Sequence, residues 1–127
     1  MKKITLVVVD DNLISRMLPS YILHPFAMHV QVIECECGAD ALRMMGTHQV
    51  THVLLDISMP KMSGVDVVKE IRGVSKYAHM QLIAYTADAL VADVVHLRAA
   101  GFDNVLLKPL KRAELLQALN MPSSSGE

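Results

Sequence analysis

The chain has 127 residues, 52% of them hydrophobic, which is enough for one packed core and too little for two domains. Twelve Lys and Arg against 13 Asp and Glu leave a formal net charge of −1, so no global field favours nucleic acid or an anionic membrane, and any charge chemistry must be local. No apolar stretch approaches the about 20 residues needed to span a bilayer, and the opening "MKKITLVVVDD" meets Asp10 too early for a secretory signal; the expectation is a cytoplasmic chain that neither inserts in membranes nor binds nucleic acid.

Taken in order, short aliphatic or β-branched runs alternate with helical spacing. "ITLVVV" (4–9) predicts a first strand, and Ile14, Met17, Leu18 and Ile22 predict the buried face of a first helix. Pro19 falls inside that helix, where it removes a backbone donor at a cost of about 3 kcal/mol, so a kink or a shortened helix is expected. "VQVIE" (30–34) is the second strand, followed by a helix on Ala41, Leu42 and Met45; "HVLL" (52–55) is the third, followed by one on Val65, Val68 and Ile71. "QLIAY" (81–85) precedes a helix on Val91, Val94 and Val95 that Gly101 should stop; "NVLL" (104–107) precedes a last helix on Leu115, Leu116 and Leu119. The closing "MPSSSGE" reads as a polar tail.

Strict alternation of continuously apolar strands with helices points to an α/β fold. The expected architecture is a five-stranded parallel sheet with helices on both faces, because each parallel connection needs a right-handed crossover.

The two cysteines, Cys35 and Cys37, alternate at a strand end without a CxxC pattern and read as reduced structural thiols. The six histidines, His24, His29, His48, His52, His79 and His96, lack the i, i+4 spacing of a helical metal pair and read as surface or edge residues.

In an open parallel sheet, ligands bind outside the carboxyl ends of the strands. Asp10 and Asp11 follow the first strand, Asp56 the third, Thr86 the fourth and Lys108 the fifth. Asp-Asp after a strand is by itself an ordinary helix cap, and one Asp could cap while its neighbour ligates. Three carboxylates in one crevice repel, however, and a divalent cation resolves the repulsion. Oxygen-only ligands with room for water suit Mg²⁺.

At this point "VVVDDN", "LLDISMPKMSG", "AYTA" and "LLKP", in order and each after an expected strand, resemble the signature segments of the receiver domain of bacterial two-component response regulators, over residues 4–120. "DDNLISRML" is similar to receivers attached to hybrid histidine kinases. The resemblance implies a flavodoxin-like (βα)5 fold, with a receiver over 1–120 and a flexible tail over 121–127. It implies that Asp56 accepts a phosphoryl group from a histidine kinase or histidine phosphotransfer protein. Asp11, Asp56 and the backbone carbonyl of Ser58 would ligate Mg²⁺, with Asp10 acting mainly through a metal-bound water. Lys108 would neutralise phosphoryl charge, the Thr86 hydroxyl would bond a phosphoryl oxygen, and small Ala87 would leave room for it. Lys108-Pro109 could hold a cis bond, and Pro60 and Gly64 would form a loop beside Asp56. Ser58 and Asp88 would border the path of hydrolytic water.

A downstream protein would read the face of the fourth helix, fifth strand and fifth helix. The family usually places an aromatic three positions before its lysine; here that residue is Val105, so either Tyr85 substitutes in part or another surface carries the output.

Rival readings are weaker. A flavin-binding protein of similar architecture needs a phosphate-cradling loop where Asp10 and Asp11 would repel phosphate. An aspartyl-nucleophile phosphatase of the haloacid dehalogenase type carries a second Asp where Ser58 stands, so a signalling switch is expected and a turnover enzyme is not. The alternative kept open is an interaction module of receiver fold that works without phosphorylation.

Overall fold

The structure, a computed structural model, describes residues 3–58, 64–88 and 93–121. Five strands, β1 (Ile4–Val9), β2 (Val30–Cys35), β3 (His52–Asp56), β4 (Gln81–Thr86) and β5 (Asn104–Leu107), alternate with α1 (Leu13–Leu23), α2 (Gly38–Thr47), α3 (Gly64–Arg72), α4 (Val94–Ala100) and α5 (Arg112–Ala118). All pairings are parallel, in the order β2-β1-β3-β4-β5. The chain leaves β1 toward β2 on one side and returns to β3 on the other, so the reversal point lies between the carboxyl ends of β1 and β3.

Burial explains why these runs are strands. Every residue of β1 and β3 is buried, as strands covered on both faces require, whereas edge strand β2 is buried only at its ends, Val30 and Cys35. One face of the sheet (Val7, Val9, Val53, Leu55, Leu82, Ala84) packs on Ala41 and Met45 of α2, Val67, Val68 and Ile71 of α3 and Leu97 of α4. The other (Ile4, Leu6, Val8, Leu54, Ile83, Tyr85, Leu106) packs on Leu23 of α1 and Leu115 and Leu116 of α5. The strand alternation thus assigns each residue to one of two cores.

Several local expectations are corrected. The buried residues of α1 are Pro19 and Leu23, with Leu18 and Ile22 packed partly against them; Ile14 and Met17 are exposed. Apolar residues lie around much of this helix, so spacing alone offered two stripes and packing took the later one. Pro19 does not shorten α1, which runs through it, and its ring is buried. In α4, Val94 and Val95 are exposed and Leu97 is the residue that packs; Val91 lies outside the described residues. Gly101 does end α4, at φ +123°, a conformation that favours glycine.

Cys37 is not on β2 but precedes α2 as its N-cap; it is half-buried beside the buried Cys35, and both are free thiols. His52 is not a surface residue. It opens central β3, is buried, and its Nδ1 lies 2.7 Å from Thr51 Oγ1. Met121, placed in the tail by composition, is buried and donates its N–H to the Leu116 carbonyl, whereas 122–127 lie outside the described residues.

Candidate functional site

Asp10 stands one residue past β1 and is fully buried. Its N–H donates to the Cys35 carbonyl, its Oδ1 accepts from Asn12 N–H at 2.9 Å, and its carbonyl accepts from Arg16 Nη1 at 3.0 Å. The Arg16 guanidinium is in turn 3.7 Å from Glu34 Oε1. Neither aspartate caps α1: Asn12 does, accepting from Ser15 N–H, which leaves the carboxylates of Asp10 and Asp11 for other work. Asp11 is exposed beside them.

Asp56 ends β3, buried, with Oδ1 accepting from Ser58 N–H at 2.8 Å. Lys108 reaches in from beyond β5: its ammonium is 2.8 Å from Asp10 Oδ2 and 3.3 Å from Asp56 Oδ2. The Asp10 contact is an ion pair without hydrogen-bond geometry, so Asp10 Oδ2 is a buried oxygen lacking a hydrogen bond. Burial pushes the Asp56 carboxyl above its ordinary pKa, opposed by Ser58 N–H and Lys108 and reinforced by Asp10. Burial by itself would lower the Lys108 pKa, but its contacts with Asp10 and Asp56 outweigh that and raise it.

Asp10, Asp11 and Asp56 each offer a carboxylate oxygen within 4.8 Å of the others. Three carboxylates against one ammonium leave two negative charges uncompensated. This donor set fits a hard divalent cation with part of its hydration retained.

Thr86 is fully buried at the end of β4; its Oγ1 accepts from Asp88 N–H at 3.1 Å, and its carbonyl accepts from Lys108 N–H at 2.8 Å. Ser58, Ala87 and Asp88 are exposed around the rim. The Lys108-Pro109 peptide is cis. Pro60 lies outside the described residues. Gly64 is not a loop residue but the buried first residue of α3, and a Cβ there would lie 2.7 Å from Ile57 Cγ2 and 2.8 Å from Ile57 Cα. Its small size is needed because the start of α3 presses on the residue after Asp56.

Chain-wide comparison agrees with this geometry. A family model described as the response regulator receiver domain matches residues 6–120. The chain belongs to this family. A chemotaxis protein CheY homolog of Campylobacter jejuni is 32% identical to this receiver over 125 residues, covering 96% of the chain and 95% of the relative. Chemotaxis protein CheY1 of Helicobacter pylori is 31% identical over 117 residues, 91% of the chain and 94% of the relative. Among solved structures, the receiver domain of sensor histidine kinase PA1611 from Pseudomonas aeruginosa superposes with a TM-score of 0.80 at 28% identity, covering 93% of this chain and 95% of that one, and its magnesium ion is coordinated in the active site cleft. CheY4 of Vibrio cholerae, at 24% identity over 94% of this chain and 98% of that one with a TM-score of 0.82, shares the fold.

The receiver is accordingly a signalling switch of the two-component type, built around an acidic pocket of Asp10, Asp11 and Asp56 with Lys108, and not a turnover enzyme. No helix among the described residues is long and apolar enough to cross a membrane.

The relation of Tyr85 to Val105 is corrected by strand alternation. Val105 packs, half-buried, on the α2, α3 and α4 side, whereas Tyr85 lies in the core on the α1 and α5 side. Tyr85 therefore does not occupy the place of the missing aromatic. Sequence reasoning also missed Arg16 and Asn12 as supports of the Asp10 segment; nothing around Arg16 in the sequence signals its contacts with the Asp10 carbonyl, six residues earlier, and with Glu34, whereas Asn12 before a helical pattern is a legible cap.

Proposed function

We propose that Asp56 is the phosphoacceptor. One of its carboxylate oxygens attacks the phosphorus of a phosphohistidine on a partner; the new O–P bond gives an aspartyl phosphate as the P–N bond breaks and its electron pair returns to the imidazole, which takes up a proton. The observation that carries this reading is the Lys108 ammonium placed between Asp10 and Asp56, a cation already at hydrogen-bond distance from the attacking carboxylate. Asp11, Asp56 and the Ser58 carbonyl would hold Mg²⁺, with Asp10 acting through a bound water. The ion, when bound, supplies charge neutralisation and orientation at the phosphoryl oxygens. Lys108 keeps its charge through the transfer and follows the phosphoryl oxygens. Thr86, whose hydroxyl now accepts from Asp88 N–H, donates its own proton to the attached group. Ser58 and Asp88 on the rim set the access of hydrolytic water.

The donor would be a histidine kinase or histidine phosphotransfer protein. It would dock over α1, where Leu13, Ile14, Met17 and Tyr21 are exposed beside the acidic pocket. A downstream protein would read the α4, β5 and α5 face, where Val94 and Val95 of α4 are exposed and β5 and α5 form a groove lined by Val105, Leu107, Glu114 and Gln117. Residues 1–121 would act as the receiver unit in the cytoplasm.

The test is intact-protein mass after incubation with a small phosphodonor, with and without Mg²⁺, on wild type and Asp56→Asn. One metal-dependent phosphoryl adduct absent from Asp56→Asn is the expected result. Val105, with no aromatic at its place, is the observation favouring the second reading, a module that works without phosphorylation. Absence of any adduct on the folded protein would select it.

A further inference from the structure

The Lys108 side chain is a flexible stem of four methylenes ending in a point charge, and nothing intrinsic to it aims the ammonium at the pocket. Its two anionic partners are poor guides during the reaction, because Asp56 becomes an acyl phosphate and Asp10 is shared with a cation. A third contact is neutral. The Lys108 ammonium lies 4.9 Å from the centroid of the Tyr85 ring, within cation–π range.

The placement follows from register. Asp56 and Tyr85 are direct partners across β3 and β4, so their side chains emerge on the same face. Lys108 is two residues beyond Leu106, which pairs with Tyr85, and therefore emerges on that face as well. Tyr85 is 1% exposed, packed among Leu54, Ile83, Leu106 and Leu115, so the ring cannot follow the ammonium and must act as a fixed surface. The other cation–π contacts among the described residues, Lys76 with Tyr77 and Arg112 with Phe26, involve half-buried rings and cations that are not in the pocket. Only the Tyr85 contact, among the described residues, involves a cation that also touches both buried carboxylates.

We infer that Tyr85 is a positioning residue for phosphoryl transfer: its ring holds the Lys108 ammonium over the pocket by a contact that survives conversion of Asp56 to the acyl phosphate. The inference rests on the proposed roles of Asp56 and Lys108. A neutral ring steers the ammonium without consuming its charge, which stays available to the incoming phosphoryl oxygens.

The experiment compares wild type, Tyr85→Phe, Tyr85→Leu and a protein carrying trifluorinated phenylalanine at position 85, which keeps the ring's shape and weakens its negative face. Two quantities are read: the NMR shift of the Lys108 ε-methylene protons, and the rate of phosphoryl adduct formation with a small donor at saturating Mg²⁺. In wild type and Tyr85→Phe the ε-methylene protons should lie upfield of those of the other lysines, under the ring current, with rates within about twofold of each other. The fluorinated ring and Tyr85→Leu should slow adduct formation roughly three- to tenfold. The fluorinated protein should melt close to Tyr85→Phe, which separates positioning from packing even where Tyr85→Leu fails to fold.

A fluorinated protein as fast as Tyr85→Phe, or Lys108 ε-methylene protons at ordinary shifts in wild type, overturns the inference while leaving the phosphoacceptor reading standing. Wild type that takes no phosphoryl group overturns both.

Discussion

At the scale of the residue, the pocket is a set of side chains each pinned by a different neighbour. Asp10 is held through Asn12 N–H and Arg16, Asp56 through Ser58 N–H, and Lys108 by both carboxylates. Gly64 shows how little slack exists. Its missing Cβ would meet the Ile57 backbone at 2.8 Å, and Ile57 directly follows Asp56 and donates its N–H to the Tyr85 carbonyl. Gly64→Ala should therefore displace Ile57, destabilise the fold by about 1–3 kcal/mol in urea titration, and slow the phosphorylation proposed at Asp56, because overpacking against backbone cannot be relieved by a rotamer change. A variant within about 0.5 kcal/mol of wild type would show that the close approach is not needed. Asp10, Asp56 and Lys108 were legible because each immediately follows an apolar run, and Asp11 because it stands next to Asp10. The role of Gly64 was not: a glycine after "MPKMS" carries the same signal whether it sits in a loop or under a helix.

Elements add a second constraint. A helix beside the sheet must cover one stripe, yet α1 carries apolar residues on both sides and buries only Pro19 and Leu23 fully. Ile14 and Tyr21, 74% and 80% exposed, contribute almost nothing to the core, and with Met17 they form a strip leading to Asp11. Changing Ile14→Gln and Met17→Gln should alter stability by less than about 0.5 kcal/mol each, since neither leaves a packed site. Transfer from a phosphorylated histidine protein should fall relative to transfer from a small donor, and the ratio of the two rates in a mass assay checks this. An unchanged ratio would move the donor surface elsewhere. Arg72 performs a comparable linking task at the far end of α3, donating to the Gly101 carbonyl and Asp103 and so tying α3 to the turn that ends α4.

For the whole molecule, the order β2-β1-β3-β4-β5 puts β3 at the centre, with phosphoacceptor chemistry proposed at its carboxyl end and a buried histidine at its start. Thr51 Oγ1 accepts from Thr5 N–H and lies 3.1 Å from the Thr5 carbonyl and 2.7 Å from His52 Nδ1, so the buried imidazole is tied to the Thr51 hydroxyl. Burial lowers the His52 pKa from its ordinary value of 6.5. A depressed pKa in the folded state means that the unfolded chain binds the proton more readily. This contribution to stability is then complete above pH 6.5 and is lost as pH falls through the lower, folded value. Urea titrations at descending pH should show a loss of stability beginning near pH 6.5, and His52→Asn, which keeps a polar side chain near Thr51 and cannot titrate, should flatten it. Identical pH profiles for the two proteins would assign the acid response to other groups.

What the sequence by itself determined was local in origin: continuous apolar runs, crossover helices, and a charged or hydroxyl residue directly after four of the strands. Those features dictate a parallel α/β sheet with its chemistry along the carboxyl edge, because strand period and strand termination depend on near neighbours only. The tertiary structure decided which stripe of α1 is covered, that His52 is enclosed, that Tyr85 lies on the opposite face from Val105, and that Asp56, Tyr85 and Lys108 share one face. Each of these turns on which strands are neighbours and in what register, and register is set by packing among residues far apart in the chain.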